Sequence, residues 1–354
     1  MKILVIQQKM IGDVLASSII CNNLCKAYPE AQIDYLVYKE TIPVLKGNTS
    51  IDNIILFEEE HKKNKTKFLN LALKIRATKY DLVIDAYLNL ESALIVFLSG
   101  AKRTISYKKN FLSFLYTDKV YFATSPETQM GLAIERRFSL LNPLNLEISI
   151  DPYPKLFVTA EENQKASTLF NKHQINRQRK TIMISLLGSE NAKTYPLNYM
   201  TQIIDYIATN NDVNIIFNYF PKQINDARKI FDACSISTKE KIYFDLLGDD
   251  LRTFIALLNQ CDLVIGNDGG AINMAKALNK PTYTIFSPWI DKESWSTFDD
   301  GIINKAIHLK DFYPKLLTNK SRKERKKNYA HYYNLLKPSL IFESLTNFLN
   351  IHLH

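Results

Sequence analysis

Short apolar runs alternate along the chain with longer segments whose apolar residues recur every three or four positions. In the first half the short runs are "KILVIQ", "QIDYLVY", "NIILF", "DLVIDAY" and "RTISY". Continuous apolar runs of this length are typical of strands buried on both faces, and the longer spacing is typical of amphipathic helices. The alternation therefore predicts β-α-β units built around a parallel sheet.

A second series of the same kind opens at "TIMISLL" and continues through "VNIIFNY", "KIYFDLL", "DLVIGND" and "TYTIF". A chain of 354 residues also exceeds the size at which a single core usually stops growing. We expect two Rossmann-like, doubly wound α/β domains. The predicted boundaries are 1–165 for the first domain, 166–180 for a polar linker, 181–335 for the second domain, and 336–354 for an amphipathic helix that packs back on the body.

The composition is that of an ordinary globular protein, with 46% hydrophobic and 23% charged residues. No apolar run reaches the roughly 20 residues of a membrane-spanning helix, and "QQK" and "GD" interrupt the N-terminal run, so we expect a cytoplasmic protein without a signal peptide. The four cysteines and six histidines show no metal-ligand spacing. Reduced thiols and no metal site are therefore predicted.

The formal net charge of +9 is concentrated in three clusters, at residues 61–67, 101–110 and 319–333. An excess of this size favours an anionic partner. The clusters are separate and no nucleic-acid-binding module is visible, so an anionic membrane surface or a phosphorylated glycolipid is predicted rather than nucleic acid. For each cluster the alternative is a solvated lysine-rich face.

Two strand-to-helix turns carry candidate chemistry, because doubly wound domains bind ligands at the carboxyl ends of their strands. The first turn contains Gly12 and Asp13 but no G-x-G-x-x-G, which disfavours a dinucleotide-dependent dehydrogenase. Asp13 itself could simply cap the helix. The second turn contains Gly269 and Gly270 before a helix, an arrangement that suits a diphosphate or else forms only a tight turn.

Four stretches together resemble glycosyltransferase family 9, the heptosyltransferases that build the inner core of bacterial lipopolysaccharide from ADP-heptose. They are "GDVLASSIICNNLCKAYPEAQIDYLV", "YDLVIDAYLNLESALIVFLSGAKRTISY", "ENAKTYPLNYM" and "CDLVIGNDGGAINMAKAL". The resemblance implies a GT-B fold, with two Rossmann-like domains facing across a cleft, and an inverting sugar transfer. It also implies that Asp13 is the catalytic base. Such a transfer needs a group of this kind, because the acceptor hydroxyl must lose its proton as it attacks.

The same resemblance implies a donor site for ADP-heptose in the second domain. Lys193 and the backbone around Asp268, Gly269 and Gly270 would hold the diphosphate, with Gly188 and Ser189 close by. The chain contains no D-x-D motif, so metal-independent transfer without a cofactor is predicted.

Three departures from the family pattern affect the donor site. Asn273 stands where the family usually has His, Gly269 replaces Thr, and Gln223 lies nearest the position of a Glu that contacts the ribose. An amide can donate a hydrogen bond to phosphate but carries no charge. Transfer of a different nucleotide-activated sugar, or a non-catalytic sugar-nucleotide or glycan-binding role, therefore stays open.

The acceptor site is predicted from Gly12 and from Lys108 and Lys109, which precede several aromatic residues within 106–119. Such lysines would suit an anionic core acceptor of the Kdo-lipid A type. The alternative is an amphipathic surface helix. The run "SRKERKK" at 321–327 is expected to hold the enzyme on the inner face of the membrane, at about 1 kcal/mol per basic residue.

Overall fold

The computed structural model describes residues 1–353, which divide into two compact units between Phe157 and Val158. Each unit contains one six-stranded sheet in which all paired strands are parallel. Helices connect successive strands, as the alternating pattern predicts. The α/β class and the two doubly wound sheets are thereby confirmed.

The first unit contains six strands and five α-helices. The strands are β1 (Lys2–Ile6), β2 (Gln32–Val37), β3 (Asn53–Leu56), β4 (Leu82–Asp85), β5 (Arg103–Lys108) and β6 (Asp118–Tyr121). The helices are α1 (Ile11–Ala27), α2 (Glu59–Lys63), α3 (Lys65–Thr78), α4 (Leu90–Ser99) and α5 (Leu132–Ser139). Short 3-10 helices occupy Lys39–Val44, Phe111–Leu115 and Asn142–Leu144.

Up to residue 353, the second unit contains six further strands and eleven α-helices. The strands are β7 (Lys180–Ser185), β8 (Val213–Asn218), β9 (Ile242–Tyr243), β10 (Leu263–Asn267), β11 (Thr282–Ile285) and β12 (Asn304–Ile307). The helices before β11 are α6 (Ala160–Lys172), α7 (Leu197–Asn210), α8 (Ile224–Ala233), α9 (Ile236–Lys239), α10 (Leu251–Gln260) and α11 (Gly270–Ala277). Those after it are α12 (Lys292–Trp295), α13 (Leu309–Phe312), α14 (Arg322–Lys327), α15 (Tyr329–Leu335) and α16 (Pro338–Leu353), and 3-10 helices lie at Asn191–Lys193 and Pro221–Gln223.

The two sheets have the same strand order. The first is β3-β2-β1-β4-β5-β6, and the second, read from its other edge, is β9-β8-β7-β10-β11-β12. In both sheets the strand order reverses between the first strand of the unit and the fourth, which lie side by side. A doubly wound sheet opens a crevice at the carboxyl edge of that point, so the loops after β1, β4, β7 and β10 are where ligands are expected.

The last helix belongs to the second unit and packs on α7. The rings of Tyr206 and Phe342 stack at 4.2 Å between centroids, and the buried residues Ile341, Leu345 and Phe348 recur at helical spacing. That spacing is the sequence signal from which the terminal helix is predicted.

The segment 166–180, which was predicted as a linker, contains the second half of α6 and the first residue of β7. Helix α6 begins with a capping box formed by Thr159 and Glu162, and it packs on α10. Only Ala166 and Phe170 of this helix are buried. The apolar face is therefore too short to be recognised in the sequence among the polar and charged residues. Strands β6 and β12 are two further elements that the pattern of apolar runs does not predict. Only half of the residues in β6 are even partly buried, and β12 is mostly buried but begins with the polar residues Asn304 and Lys305.

Candidate functional site

Asp13 lies in the first turn of α1, directly after β1, at the carboxyl edge of the first sheet. Its carboxylate is partly exposed, with 28% of the side chain accessible to solvent. One oxygen, Oδ2, lies 3.5 Å from the backbone nitrogen of Met10. The capping contact is therefore long, and the stronger partner of the carboxylate is elsewhere.

That stronger partner is Arg137 on α5, a helix that packs on α1. Arg137 Nη2 donates to Asp13 Oδ1 at 2.5 Å, its Nε donates to Ser17 Oγ at 3.0 Å, and its Nη1 donates to the carbonyl of Ala133 at 2.8 Å. The guanidinium is thus held on three sides and orients the carboxylate. Arg137 was not predicted from the sequence, because a basic residue 124 positions from Asp13 on a short helix gives no local signal.

Further positive charge lies beside this pair. The guanidinium of Arg136 and the ammonium of Lys109 lie 3.9 and 4.4 Å from the ring centroid of Phe122. Burial lowers the pKa of Arg136, and the neighbouring Arg137 lowers it further. Cations placed this closely repel one another, so an anionic ligand would relieve the repulsion. Lys108, the other predicted acceptor residue, is exposed at the end of β5, and Gly12 lies next to Asp13 in α1.

In the second unit the loop after β7 brings Gly188, Lys193 and Gln223 together. Gln223 Nε2 donates to the carbonyl of Gly188 at 2.8 Å, and Gly188 N donates to Thr194 Oγ1 at 3.1 Å. A Cβ at Gly188 would lie 2.4 Å from the carbonyl oxygen of Lys193, so only glycine fits this close approach. Gln223 therefore shapes the loop that carries Lys193, and its amide is already engaged there. Ser189 is exposed in the same loop.

Asn267, the last residue of β10, joins this loop to the sheet. Its side-chain amide donates to the carbonyls of Ser185 and Leu186 at 3.1 and 2.8 Å, and its Oδ1 accepts from Tyr195 N at 2.7 Å. Tyr195 is fully buried, and its hydroxyl donates to the carbonyl of Leu336 at 2.6 Å. The loops after β7 and β10, on either side of the switch point, are therefore locked together.

Asp268 follows Asn267 and lies in an electrostatically unusual position. Burial raises the pKa of its carboxyl, and the charges of Lys193 and Lys276 oppose that rise. Lys276 shows the converse, because burial lowers the pKa of its ammonium to about 8 although Asp299, Asp268 and Asp300 favour the charged form. The two lysines thus flank the carboxylate at the start of α11, and Lys276 is a site neighbour that the sequence did not reveal.

The start of α11 is open. Gly269 precedes the helix with an extended backbone, and a Cβ built on it would meet no atom within 4 Å. Gly270 is exposed as the first helical residue, and Asn273 is half-buried one turn further on. The free backbone N–H groups and the positive end of the helix dipole point toward this open space, which is an arrangement suited to phosphate.

Two further cationic side chains lie near Lys193 around the ring of Trp289. Its indole Nε1 donates to the carbonyl of Ala192 at 2.8 Å, next to Lys193 in the chain. Lys193 Nζ, the Arg322 guanidinium and Lys326 Nζ lie 5.9, 5.0 and 4.6 Å from the ring centroid. Lys326 also pairs with Glu190 at 2.8 Å. Arg322 and Lys326, which belong to the run 321–327 expected at the membrane, thus lie at the edge of the candidate donor site.

The predicted donor residues therefore come together around the loops after β7 and β10, whereas Gly12, Asp13, Lys108 and Lys109 lie on the first unit. Within residues 1–353, His, Cys, Asp and Glu side chains form no group of three or more that is suited to hold a metal ion. In that same part of the chain, no helix combines the length and the apolar character needed to cross a bilayer.

Comparison with known proteins decides the family. The family model of glycosyltransferase family 9 (heptosyltransferase) matches residues 68–309, more than half of the chain. The chain belongs to glycosyltransferase family 9. It is thus a glycosyltransferase, and the family resemblance read from the four motifs is confirmed.

Individual relatives agree with this assignment. The lipopolysaccharide heptosyltransferase 3 of Escherichia coli is 24% identical over 300 residues, covering 82% of this chain and 85% of that protein. The lipopolysaccharide heptosyltransferase 1 of Campylobacter coli is 24% identical over 291 residues, covering 81% and 84%. The solved structure of the E. coli ADP-heptose lipopolysaccharide heptosyltransferase II superposes with a TM-score of 0.73 at 19% identity over 99% of this chain and 98% of that one. The GT-B fold of this family 9 member is thereby confirmed.

Proposed function

We propose that this family 9 enzyme transfers heptose from ADP-heptose to a hydroxyl of the lipopolysaccharide or lipooligosaccharide inner core. The observation that carries the proposal is the partly exposed carboxylate of Asp13, oriented by Arg137 at the carboxyl edge of the first sheet. The relatives described above are lipopolysaccharide heptosyltransferases, which supports the proposed donor and acceptor class.

In this proposal Asp13 is the general base. The acceptor oxygen attacks the anomeric carbon of heptose while its proton passes to Asp13, and the bond from that carbon to the β-phosphate oxygen breaks. ADP leaves with the bonding electron pair, and the configuration at the anomeric carbon inverts. Base catalysis of this kind contributes about 10²- to 10⁴-fold, and the orientation by Arg137 serves it because small displacements of a catalytic group are costly.

The leaving diphosphate would be stabilised without a metal ion in the second unit. Lys193 supplies charge and the open start of α11 supplies N–H groups, beside Asp268, Gly269, Gly270 and Asn273. Arg322 and Lys326 add charge at the same edge through their contact with Trp289. Such preorganised donors act on the charge that grows on the leaving group.

The acceptor would be an anionic, lipid-linked core of the Kdo-lipid A type held by the first unit. Arg136 and Lys109 flank Phe122 beside the Asp13–Arg137 pair, and Lys108 follows the same strand. Carboxylates or phosphates of the acceptor would find charge-assisted partners there. Since such an acceptor is embedded in a membrane, the proposal includes peripheral association with the inner face of the cytoplasmic membrane.

One alternative has its own support in the structure, namely transfer of a different nucleotide-activated sugar. Asn273 carries no charge, and the amide of Gln223 is bonded to Gly188 and Phe220 rather than facing a ligand. A shift in melting temperature separates the candidates: ADP and ADP-heptose should stabilise the protein, whereas UDP and GDP should not. Stabilisation by UDP or GDP but not by ADP would indicate a uridine- or guanosine-activated sugar as the donor instead of ADP-heptose. Binding without any acceptor-dependent ADP release would favour a non-catalytic role.

A further inference from the structure

The first unit exposes seven large apolar side chains on three neighbouring elements. These elements are α3, α4 and the 3-10 helix Phe111–Leu115, and α4 contacts both of the others. Phe111 and Phe114 are 77% and 70% exposed. The remaining exposed members are Leu69 and Leu73 on α3 and Leu90, Leu94 and Phe97 on α4. We call this set the apolar surface.

The spacing on the helices shows that this exposure follows a regular stripe. Leu69 and Leu73 are one turn apart, and Leu90, Leu94 and Phe97 follow the i, i+4, i+7 rule. Residues at these spacings share one helix face. Because the opposite faces of α3 and α4 bury their own apolar residues, such as Leu71 and Ile75, both helices are apolar on two sides. A clustered apolar surface of this kind usually marks an interaction site.

Basic residues border the apolar surface and indicate the class of its partner. Residues 61–79 contain seven Lys or Arg and no Asp or Glu, and Lys108, Lys109 and Lys119 flank the 3-10 helix. The acidic residues just before this segment, Glu59 and Glu60, are paired with Lys62 and Lys67. Exposed aromatic and aliphatic residues within a lysine-rich border are typical of surfaces that lie in an anionic membrane interface.

From these observations we propose that the apolar surface inserts into the interfacial region of an anionic phospholipid bilayer, with the surrounding lysines on the lipid phosphates. A second copy of the chain fits the surface less well. A two-fold contact would set the positively charged segment 61–79 against or beside its own copy, and like charges in contact are unfavourable. The negative membrane surface is complementary to the same charge.

The position of the apolar surface also suits the proposed acceptor. The 3-10 helix Phe111–Leu115 follows the carboxyl end of β5, and Asp13 follows the carboxyl end of β1 in the same parallel sheet. Asn89, which caps α4 just before Leu90, donates to Gln8 Oε1 at 3.1 Å, in the loop between β1 and α1. Membrane contact through this surface would therefore bring lipid-linked sugars toward the edge that bears Asp13.

The test is co-sedimentation of the full-length protein with vesicles, without donor or acceptor. The vesicles are phosphatidylcholine alone or phosphatidylcholine mixed with phosphatidylglycerol. The variants are Phe111→Ser/Phe114→Ser and Leu94→Ser/Phe97→Ser. Phe220→Ser/Ile236→Ser is the matched control, because these residues of the second unit are 60% and 79% exposed. Circular dichroism and melting temperature show that each variant is folded.

We expect the wild type to bind the anionic vesicles at least tenfold more strongly than the neutral ones. Either apolar-surface variant should lose at least tenfold in partitioning, and the control should bind like the wild type.

Equal loss in the control, or no binding by the wild type, would overturn the proposal. A wild-type dimer in light scattering that Phe111→Ser/Phe114→Ser converts to monomer would assign the surface to a second copy instead. The inference rests on the proposed function only for the lipid-linked acceptor. The two can fail separately, because loss of vesicle binding with ADP release in detergent retained would contradict only the membrane contact.

Discussion

Arg137 Nη2 lies 2.5 Å from Asp13 Oδ1, and the same guanidinium is fixed by Ser17 and by the carbonyl of Ala133. The candidate base is thus oriented by a second helix, α5, rather than only by the start of its own helix. This arrangement assigns Arg137 as a positioning residue, since it acts on Asp13 through a hydrogen-bonded ion pair.

Replacing Arg137 should therefore reduce turnover more than donor binding. We expect Arg137→Ala to lower kcat by about 10- to 100-fold and to leave the KM for the donor nearly unchanged, because small misplacements of a catalytic group cost about that much. Arg137→Lys should recover part of the loss. Steady-state kinetics at saturating acceptor measure both quantities.

Arg103→Ala is the matched control, since Arg103 forms an ion pair with Asp118 in the same unit. The control should retain turnover close to the wild type. A rise in donor KM with kcat unchanged in Arg137→Ala would contradict the positioning role.

The two glycines of the candidate donor site should respond differently to an added side chain. In Gly188→Ala the new Cβ would lie 2.4 Å from the Lys193 carbonyl oxygen, so the loop must shift, at a cost of about 1–3 kcal/mol. We expect a lower melting temperature and weaker ADP binding. In Gly269→Thr, which restores the residue usual in the family, the added Cβ would meet no atom within 4 Å, so this variant should keep the wild-type stability.

Calorimetric titration with ADP and thermal melts compare these two variants directly. ADP binding by Gly269→Thr should equal or exceed that of the wild type, because a hydroxyl is added at the open start of α11. An intact ADP affinity in Gly188→Ala would show that the loop after β7 does not hold the donor.

The cations around Trp289 should contribute to diphosphate binding. We expect Lys326→Gln to weaken ADP binding about two- to tenfold, in line with the roughly 0.5–1.5 kcal/mol of an exposed charge or cation–π contact. Lys323→Gln is the control on the same helix, and it should leave the ADP affinity unchanged. Loss of equal size in both variants would mean that only the overall charge of α14 matters.

His308 gives the stability a predictable pH dependence. Burial lowers the pKa of this imidazole to about 4, from an ordinary value of about 6.5, although Asp311 favours the charged form. Between these two values the unfolded chain binds a proton that the folded chain does not, so stability is lost as the pH falls through that window. The ring Nδ1 also caps α13 by accepting from Lys310 N at 3.1 Å.

Asn caps helices well and does not titrate, so His308→Asn should reduce the drop in melting temperature between pH 7.5 and pH 5. Thermal melts across that range measure the difference. The same drop in wild type and variant would show that other groups cause the acid sensitivity.

Much of the fold was predictable because parallel strands buried on both faces give continuous apolar runs. β1, β4, β7 and β10 are of this kind, and the segments that hold Asp13, Gly188 and Gly269 follow β1, β7 and β10. The elements that escaped prediction have little apolar signal. Helix α6 buries only Ala166 and Phe170, and its clearest sequence mark is the Thr159–Glu162 capping box rather than its hydrophobicity.

The candidate site was predictable only where a residue belongs to a contiguous motif. Asp13, Lys193 and Gly269 belong to short motifs that follow β1, β7 and β10 in the sequence. Arg137 and Trp289 reach their places through tertiary packing, from an amphipathic helix and from a loop, so no local pattern indicates that they approach Asp13 and Lys193. The basic run 321–327 is a converse case. Its positive charge is evident from the sequence, but the contact of Arg322 and Lys326 with Trp289 is not.

The proposed function depends above all on Asp13 acting as the base of a metal-independent heptosyl transfer. The most direct measurement is acceptor-dependent release of ADP from ADP-heptose, with EDTA present and Kdo-lipid A in detergent as acceptor. It compares the wild type with Asp13→Asn and with Glu91→Gln, a half-buried carboxylate of the same unit. We expect release by the wild type and the Glu91→Gln variant, and a loss of about 10²-fold or more in Asp13→Asn with unchanged ADP binding. Undiminished release by Asp13→Asn, or release that EDTA abolishes, would contradict it.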